Sequence, residues 1–277
     1  LPYPVMKMTW DVIVVGAGLA GLFCARSLHR QGYRVLVLEK SRGLGGRLAT
    51  RRVEAVPVDH GCRFLQPMTP LLTTLIAELE AQGVLAPWQP SLYGLLGAEG
   101  QLSPQASGPP LFIAPTGMTA IAKHLGKDLE IQRQTRAIAL TLTPDHQWQV
   151  TVESADAQPV GPARSVVLAI PAPQAADLLQ QTETAIDWQP RLRAVRYEPC
   201  LSIMAGFAPQ SRVGPDSNGQ GWMVWGDGNS EIAWAGLDSA KPGRSGKTIV
   251  LQSSAAFASR YLEAQDLTMA AQELLVA

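Results

Sequence analysis

The sequence predicts an α/β fold: a parallel sheet flanked by helices, joined to a second unit rich in strands. Three observations carry this prediction. A strand, a glycine turn, a helix and a second strand fill Asp11 to Arg47. Strand and helix patterns return over residues 112–172, and strand-like runs separated by turn residues follow Pro173.

Val12 to Val15 form a short apolar run of the kind buried on both faces of a parallel sheet. Gly16, Gly18 and Gly21 follow at once with G-x-G-x-x-G spacing. At this spacing the first glycine allows a tight turn, the second lets a pyrophosphate approach the backbone, and the third lets helix and strand pack closely. The next helix aims its N-terminal amides at such a ligand. Ala25 and Leu28 continue its sheet-facing side, and Gly32 is a natural terminator. Tyr33 to Leu38 is the second strand, and Glu39 ends it where an acid binds a ribose 2′-hydroxyl. A carboxylate there repels a 2′-phosphate and argues against NADP. The bland alternative is a structural glycine turn; the flanking strand, helix and acid favour a Rossmann-type dinucleotide site, with Ala20 and Lys40 completing its candidate set.

A second cluster, Gly45-Gly46-Arg47, follows Glu39 after five residues. Paired glycines bring backbone close to a ligand, and an arginine fork suits a phosphate. NAD binding needs neither, so the cluster separates FAD from NAD. This arrangement resembles the FAD-binding N-terminus of the flavin amine oxidase superfamily, which includes monoamine oxidases, phytoene desaturases, protoporphyrinogen oxidases and renalases. Later segments are most similar to renalase-like proteins. Asp59-His60-Gly61-Cys62-Arg63-Phe64 resembles the family's D-x-G-A-Q-Y segment beside the flavin, with Cys62 and Arg63 replacing Ala and Gln. Arg63 adds a fixed positive charge there. Ala114-Pro115-Thr116-Gly117-Met118 resembles the P-x-G-[MI] turn. Arg133 to Leu140 resembles the strand that holds the adenine, with Ala137 at the position usually held by Val. Val166 to Pro173 resembles the strand and double-proline turn of the FAD domain.

The resemblance implies FAD held non-covalently, hydride transfer from a small-molecule substrate to the flavin, and reoxidation by oxygen. The substrate would be an isomeric dihydronicotinamide, as in renalases, or an amine; a desaturase- or protoporphyrinogen-oxidase-like flavoenzyme acting on a polyene or porphyrinogen is an alternative, although the chain is short for those branches. It also implies a Rossmann-type FAD-binding domain over 1–70 and 112–172, and a β-rich, para-hydroxybenzoate hydroxylase-like substrate domain over 71–111 and 173–277. The substrate pocket is expected between the flavin and the second sheet. The family's C-terminal G-D segment does not occur before Ala277, where the sequence stops inside an amphipathic helix with Leu267, Ala270, Ala271, Leu274 and Leu275 on one face. A truncated or non-catalytic dinucleotide-binding protein is therefore the competing reading.

No dedicated acid or base stands out. Cofactor-side candidates in the second motif are Gly61, Arg63 and Phe64, and His60 could donate to the flavin ring or simply bond backbone. Tyr197, Trp222, Trp225 and Trp234 are candidates for either pocket lining or core. Pro70 to Gln82 reads as a helix, Trp88 to Pro110 as a strand-poor excursion with a loop from Ala98 to Pro110, and Leu129–Leu142 and Trp148–Glu153 as two strands. A helix is expected over Gln174–Gln181 and an antiparallel meander over Cys200–Phe207, Trp222–Trp225, Glu231–Leu237 and Thr248–Ala256.

The 277 residues are 46% hydrophobic and 17% charged, with a formal net charge of +0, which suits a buried core and gives no pull toward nucleic acid or anionic membranes. Cys24, Cys62 and Cys200 form neither a disulfide framework nor a metal spacing, and no cysteine after Cys200 offers a flavin link. Leu1 to Trp10 lacks the apolar core of a secretory signal, so a cytoplasmic location is expected; oligomeric state is open.

Overall fold

The computed structural model describes residues 10–96, 100–153, 159–180, 182, 187–215 and 219–276. The expectations for Leu1–Thr9, Ala98–Glu99, Gln181 and Ala277 lie outside the described residues. Two units of contact emerge, one from residues 1–48 and 121–196, the other from 49–120 and 197–277. Residues 49–70 and 112–120, read above with the FAD domain, pack in the second unit, and 173–196 pack in the first.

The first unit is built on β1 (Trp10–Val15) and β2 (Val35–Leu38), which pair in parallel with Val12 opposite Val35 and Val15 opposite Leu38. Their apolar runs have the burial that a sheet covered on both faces demands: Ile13, Val14, Leu36 and Val37 are fully buried. Between them lies α1 (Leu19–Arg30), whose Leu22 and Ala25 are buried. Gly32 stands just past its C-cap at φ +88°, the left-handed step that stops a helix. β9 (Glu130–Gln132) extends the sheet beyond β2, and β12 (Val160–Leu168) joins β1 in parallel on the other side. β10 (Ala137–Leu142) and β11 (Trp148–Val152) close that edge in antiparallel fashion, giving the order β10-β11-β12-β1-β2-β9. The expected single strand over Leu129–Leu142 is thus two strands at opposite edges of one sheet. The break falls at Arg133–Arg136, where Gln134 has φ +54°. α4 (Ala172–Leu178) starts on the proline turn after β12, two residues before its expected start at Gln174.

In the second unit, α2 (Pro70–Ala81) begins with its cap in sequence: Thr69 accepts the Leu72 N–H, and Pro70 takes the first turn. Leu75 and Leu79 are buried, but Leu71 is exposed, so the leucine stripe is narrower than its spacing implies. The sheet has the order β13-β16-β15-β14-β6-β7. Its members are β6 (Ser91–Leu96), β7 (Gln101–Gln105), β13 (Ser202–Gly206), β14 (Trp222–Gly226), β15 (Ile232–Leu237) and β16 (Thr248–Ser253). Two expectations are corrected. Trp88 to Pro110 is not strand-poor, since β6 and β7 pair across it. The proline and glycine that made it read as loop are tolerated because β7, with Pro104, is an edge strand. The four expected strands do pair antiparallel, β14–β15–β16 as a meander with β13 beside β16 rather than β14; the whole sheet is nevertheless mixed, because β14 runs parallel to β6.

Strand alternation sorts the tryptophans. Trp222 and Val224 share one face with Ala235 and Leu251, in a core completed by Phe257 of α6 (Ala255–Arg260) and by Ala270 and Leu274 of α7 (Thr268–Val276). Met223, Trp225 and Trp234 take the opposite face, Trp225 paired directly with Trp234.

β4 (Val56–Asp59) pairs with β3 (Thr50–Val53) and ends in a dry cluster of four charges. Asp59 accepts from Lys241 at 2.8 Å, and Lys241 reaches Asp238 at 2.7 Å. Arg244 bonds both carboxylates, and all four side chains are at most 1% exposed. Asp59 Oδ1 also accepts the Met118 N–H at 2.9 Å and the Thr50 hydroxyl at 2.7 Å. Burial pushes the Asp59 carboxyl up, but Lys241 and Arg244 together pull it below its ordinary value of 3.8. A carboxyl lowered by folding contributes stability that is complete above its unfolded value and lost as pH falls through its folded one.

Lys241→Met should therefore cost about 3–5 kcal/mol, read as a lower urea midpoint at unchanged slope. Arg34→Ala, at the exposed Arg34–Asp11 pair, should leave the urea midpoint almost unchanged. The wild-type midpoint should fall as pH drops below 3.8, and Lys241→Met should flatten part of that fall.

Candidate functional site

The C-terminal ends of three adjacent parallel strands, β12, β1 and β2, meet at the glycine turn of the first unit. Such an end of an open α/β sheet is where ligands bind. A cavity of about 380 Å³ opens there.

The three glycines serve three different needs. Gly16 adopts φ +105°, and a Cβ on it would lie 2.7 Å from the Ala169 carbonyl oxygen. A Cβ on Gly21 would lie 2.0 Å from the Gly16 carbonyl oxygen, so helix and turn touch through it. Gly18 differs: its φ of −76° and ψ of −179° are open to any residue, and a Cβ would meet nothing within 4 Å. Nothing in the folded chain requires glycine at 18. Glycine there leaves the backbone open to close approach. Gly18 is also the N-cap of α1, with no side-chain cap and no acid in the first turn, which leaves the helix's first amides for an anion.

The second glycine cluster folds back onto the first. The Gly45 N–H donates to the Ala17 carbonyl at 2.8 Å, and Gly18 and Gly45 form an isolated parallel bridge. This brings Gly46 and Arg47 to the cavity wall beside Gly16 and Gly18. Glu39 lines the same cavity and is 7% exposed. One of its oxygens accepts the Ala17 N–H and the other the Ser41 N–H, both at 2.8 Å. Each keeps acceptor capacity for a further hydroxyl. Lys40 and Ala137 also line the cavity. Ala20 is exposed on the first turn of α1, while Gly21 and Gly45 act behind the wall as spacers.

Part of this wall lies in the Arg133–Leu140 stretch read above with the adenine, and part was missed by sequence reasoning. The Thr135 N–H donates to the Glu39 carbonyl and the Gln134 N–H to the Ser41 carbonyl, which draws Thr135–Ile138 into the site. Ala169, Ile170 and Pro171 enter from the end of β12, where the Ala169 N–H donates to the Val15 carbonyl at 2.9 Å. Their signal was positional: they follow a strand parallel to β1. Gln174 and Asp177 of α4 complete the wall.

The remaining candidates lie in the second unit. The His60 carbonyl accepts from Ser202 at 2.7 Å, and the Gly61 carbonyl accepts from Gln252 at 3.0 Å, so this segment is stitched to β13 and β16. Arg63 stacks between Trp225 and Trp234, its guanidinium carbon 4.8 and 4.7 Å from their ring centroids. Phe64 and Trp225 border a cavity of about 250 Å³ that also includes Trp88 and Met223. Trp222 is core, its indole N–H donating to the Val213 carbonyl at 3.0 Å; Trp234 is buried; Tyr197 is exposed. Burial pushes the Cys62 and Cys200 thiols up. Among the described residues no group of His, Cys, Asp or Glu is placed to hold a metal ion, and no helix is long and apolar enough to cross a membrane.

Comparisons with known proteins fall on the same features. Residues 14–79 match the NAD(P)-binding Rossmann-like domain family. A protein of Mycobacterium tuberculosis named as a flavin-containing monoamine oxidase is 51% identical over 71 residues, 26% of this chain and 16% of its own length. A putrescine oxidase of Kocuria rosea is 41% identical over 69 residues, 25% of this chain and 14% of its own length. The matched segment thus spans under a fifth of either relative. Among solved structures, a putrescine oxidase variant aligns over 92% of this chain and 78% of its own, with TM-score 0.68 and 13% identity. A protein of Exiguobacterium described as a protoporphyrinogen oxidase aligns over 88% and 77%, with TM-score 0.67 and 16% identity. These two likenesses establish the fold. By its Rossmann-like segment and by its fold, the chain resembles the flavin amine oxidase superfamily.

Proposed function

We propose that the chain is an FAD-dependent oxidoreductase that removes a hydride from a small-molecule substrate. The observation that carries this reading is the docking of Gly45 on Ala17, which sets Arg47 in the same cradle as Glu39. One acid for a ribose and one arginine for a phosphate suit the ADP half of FAD, and a plain NAD site has no need of the second glycine cluster.

The residues present fit that group. Glu39 accepts from the ribose hydroxyls and disfavours a 2′-phosphate. The amides at the start of α1 and the Arg47 fork take the pyrophosphate. The Thr135–Ala137 backbone faces the adenine end. All these contacts are hydrogen bonds and charges, so the ADP half is held without a covalent bond. When bound, FAD supplies the hydride acceptor. The chain's own part is to hold it, orient the substrate and exclude water. The substrate is a small molecule, an isomeric dihydronicotinamide of the renalase type or an amine, with oxygen as final acceptor; this finer assignment rests on the resemblance.

The purified protein should show flavin absorption that becomes free FAD on heating; a colourless protein that stays so after mixing with FAD would sink the reading. Gly18→Ala should leave stability within about 0.5 kcal/mol of wild type yet weaken FAD binding at least about tenfold, as judged by calorimetry. Gly21→Ala should instead destabilise the fold itself, by about 1–3 kcal/mol in urea titration. Equal effects of the two substitutions would remove the argument from Gly18.

A further inference from the structure

Among the described residues, the second unit neutralises the two cations whose side chains are fully buried. Lys241 and Arg244 each reach two carboxylates. Arg63, partly buried and four residues after Asp59, has no carboxylate bonded to it among the described residues. Its Nη1 is buried with no hydrogen-bond partner, and so is the indole Nε1 of Trp234, the ring it stacks on. Two unsatisfied donors on touching side chains are costly to a fold unless an acceptor meets them.

The geometry around Arg63 is built. Trp225 and Trp234 are register partners on β14 and β15, so their rings are offered together on one face. Gln252, opposite Trp234 on β16, holds the carbonyls of His60 and Gly61 and so fixes the segment that delivers Arg63. The rings meet the guanidinium through their π faces, which accept no conventional hydrogen bond, so its N–H groups keep their capacity for an acceptor. A carboxylate matches a guanidinium edge with two parallel bonds. Trp225 is 40% exposed, and it and Phe64, the rings next to the cation that also border the cavity of about 250 Å³, offer a ligand apolar surface; Arg63 and Trp234 lie behind them and do not line that cavity. Burial pulls the Arg63 pKa down, opposed by the Cys62 and Cys200 thiols and by no carboxylate.

We propose that Arg63, together with the indole N–H of Trp234, is a carboxylate-recognition point, and that the substrate of this chain is a small carboxylate-bearing molecule whose apolar part lies against Phe64 and Trp225. The word substrate rests on the oxidoreductase reading; the anion site does not.

Calorimetric titration of the full chain with benzoate, and with the neutral isostere benzamide, tests it, with flavin content recorded on the same sample. Benzoate should bind with one-to-one stoichiometry and at least about tenfold tighter than benzamide. Arg63→Gln should erase that preference. Trp234→Phe, which keeps the ring and loses the N–H, should weaken benzoate about threefold or more, and guards against a fold defect in the first variant. Equal binding of the two probes, undiminished benzoate binding by Arg63→Gln, or no benzoate binding at millimolar concentration would each overturn the proposal. Flavin present without benzoate binding defeats this inference alone. Benzoate binding without flavin defeats the oxidoreductase reading alone.

Discussion

The second unit hangs on one carboxylate. Asp59 is the common partner of Lys241, Arg244, the Met118 amide and the Thr50 hydroxyl, which come from three separate stretches of chain. None of these polar groups has water as an alternative, because the side chains of the ionic cluster are at most 1% exposed. A buried ionic cluster adds little net stability over a well-packed apolar one, but breaking it leaves an uncompensated charge. It therefore acts mainly on arrangement. The Thr50 and Thr119 hydroxyls take each other's backbone N–H at 3.1 and 2.8 Å, and Arg244 bonds the Ala114 carbonyl at 3.1 Å. The turn from Ala114 to Met118, and with it the start of α3 (Thr119–Leu125), is fixed by the charges beneath it.

The first unit solves a different problem by leaving things out. Its turn has no side chain at three positions, and only two of those omissions serve the fold. Gly16 and Gly21 are forced by contacts of 2.7 and 2.0 Å that a Cβ would make. Gly18 is forced by nothing within the chain. That asymmetry converts a motif into an argument about a ligand, since a residue dispensable to the folded state but placed at an uncapped helix start has its reason outside the polypeptide. Glu39 is held in the same manner. Its two backbone bonds orient the carboxylate across the cavity.

Much of this was legible in the sequence, because it is local. The β1–α1–β2 unit, its acid and its second glycine cluster lie within 37 residues from Asp11 to Arg47, and each element announces itself by period or by cap. The Thr69-Pro70 start of α2 is equally plain. What failed to show is non-local. Lys241 and Arg244 sit in the stretch Lys241-Pro-Gly-Arg244, which reads as a solvated loop; the partner that buries Lys241 is 182 residues away. β7 carries proline, serine and glutamine because edge strands face water, so its composition says loop while its pairing says strand. The parallel pairing of β6 with β14 is a topological fact with no local signature.

Charge accounting then separates structural from functional cations within one unit. A cation that a fold merely needs to tolerate is given carboxylates, as Lys241 and Arg244 are. Arg63 is given aromatic faces instead. Aromatic rings offset part of the desolvation of a guanidinium and hold its plane, but they accept no N–H in that plane. An arginine supported this way is oriented without being satisfied. Where the family motif places a neutral Gln, this chain places a cation that its own residues stack and do not neutralise. The missing half of that interaction is an anion, and Phe64 and Trp225, which flank the cation and border the cavity of about 250 Å³, set the kind of molecule that can bring it: small, flat or aliphatic on one side, and negatively charged on the other.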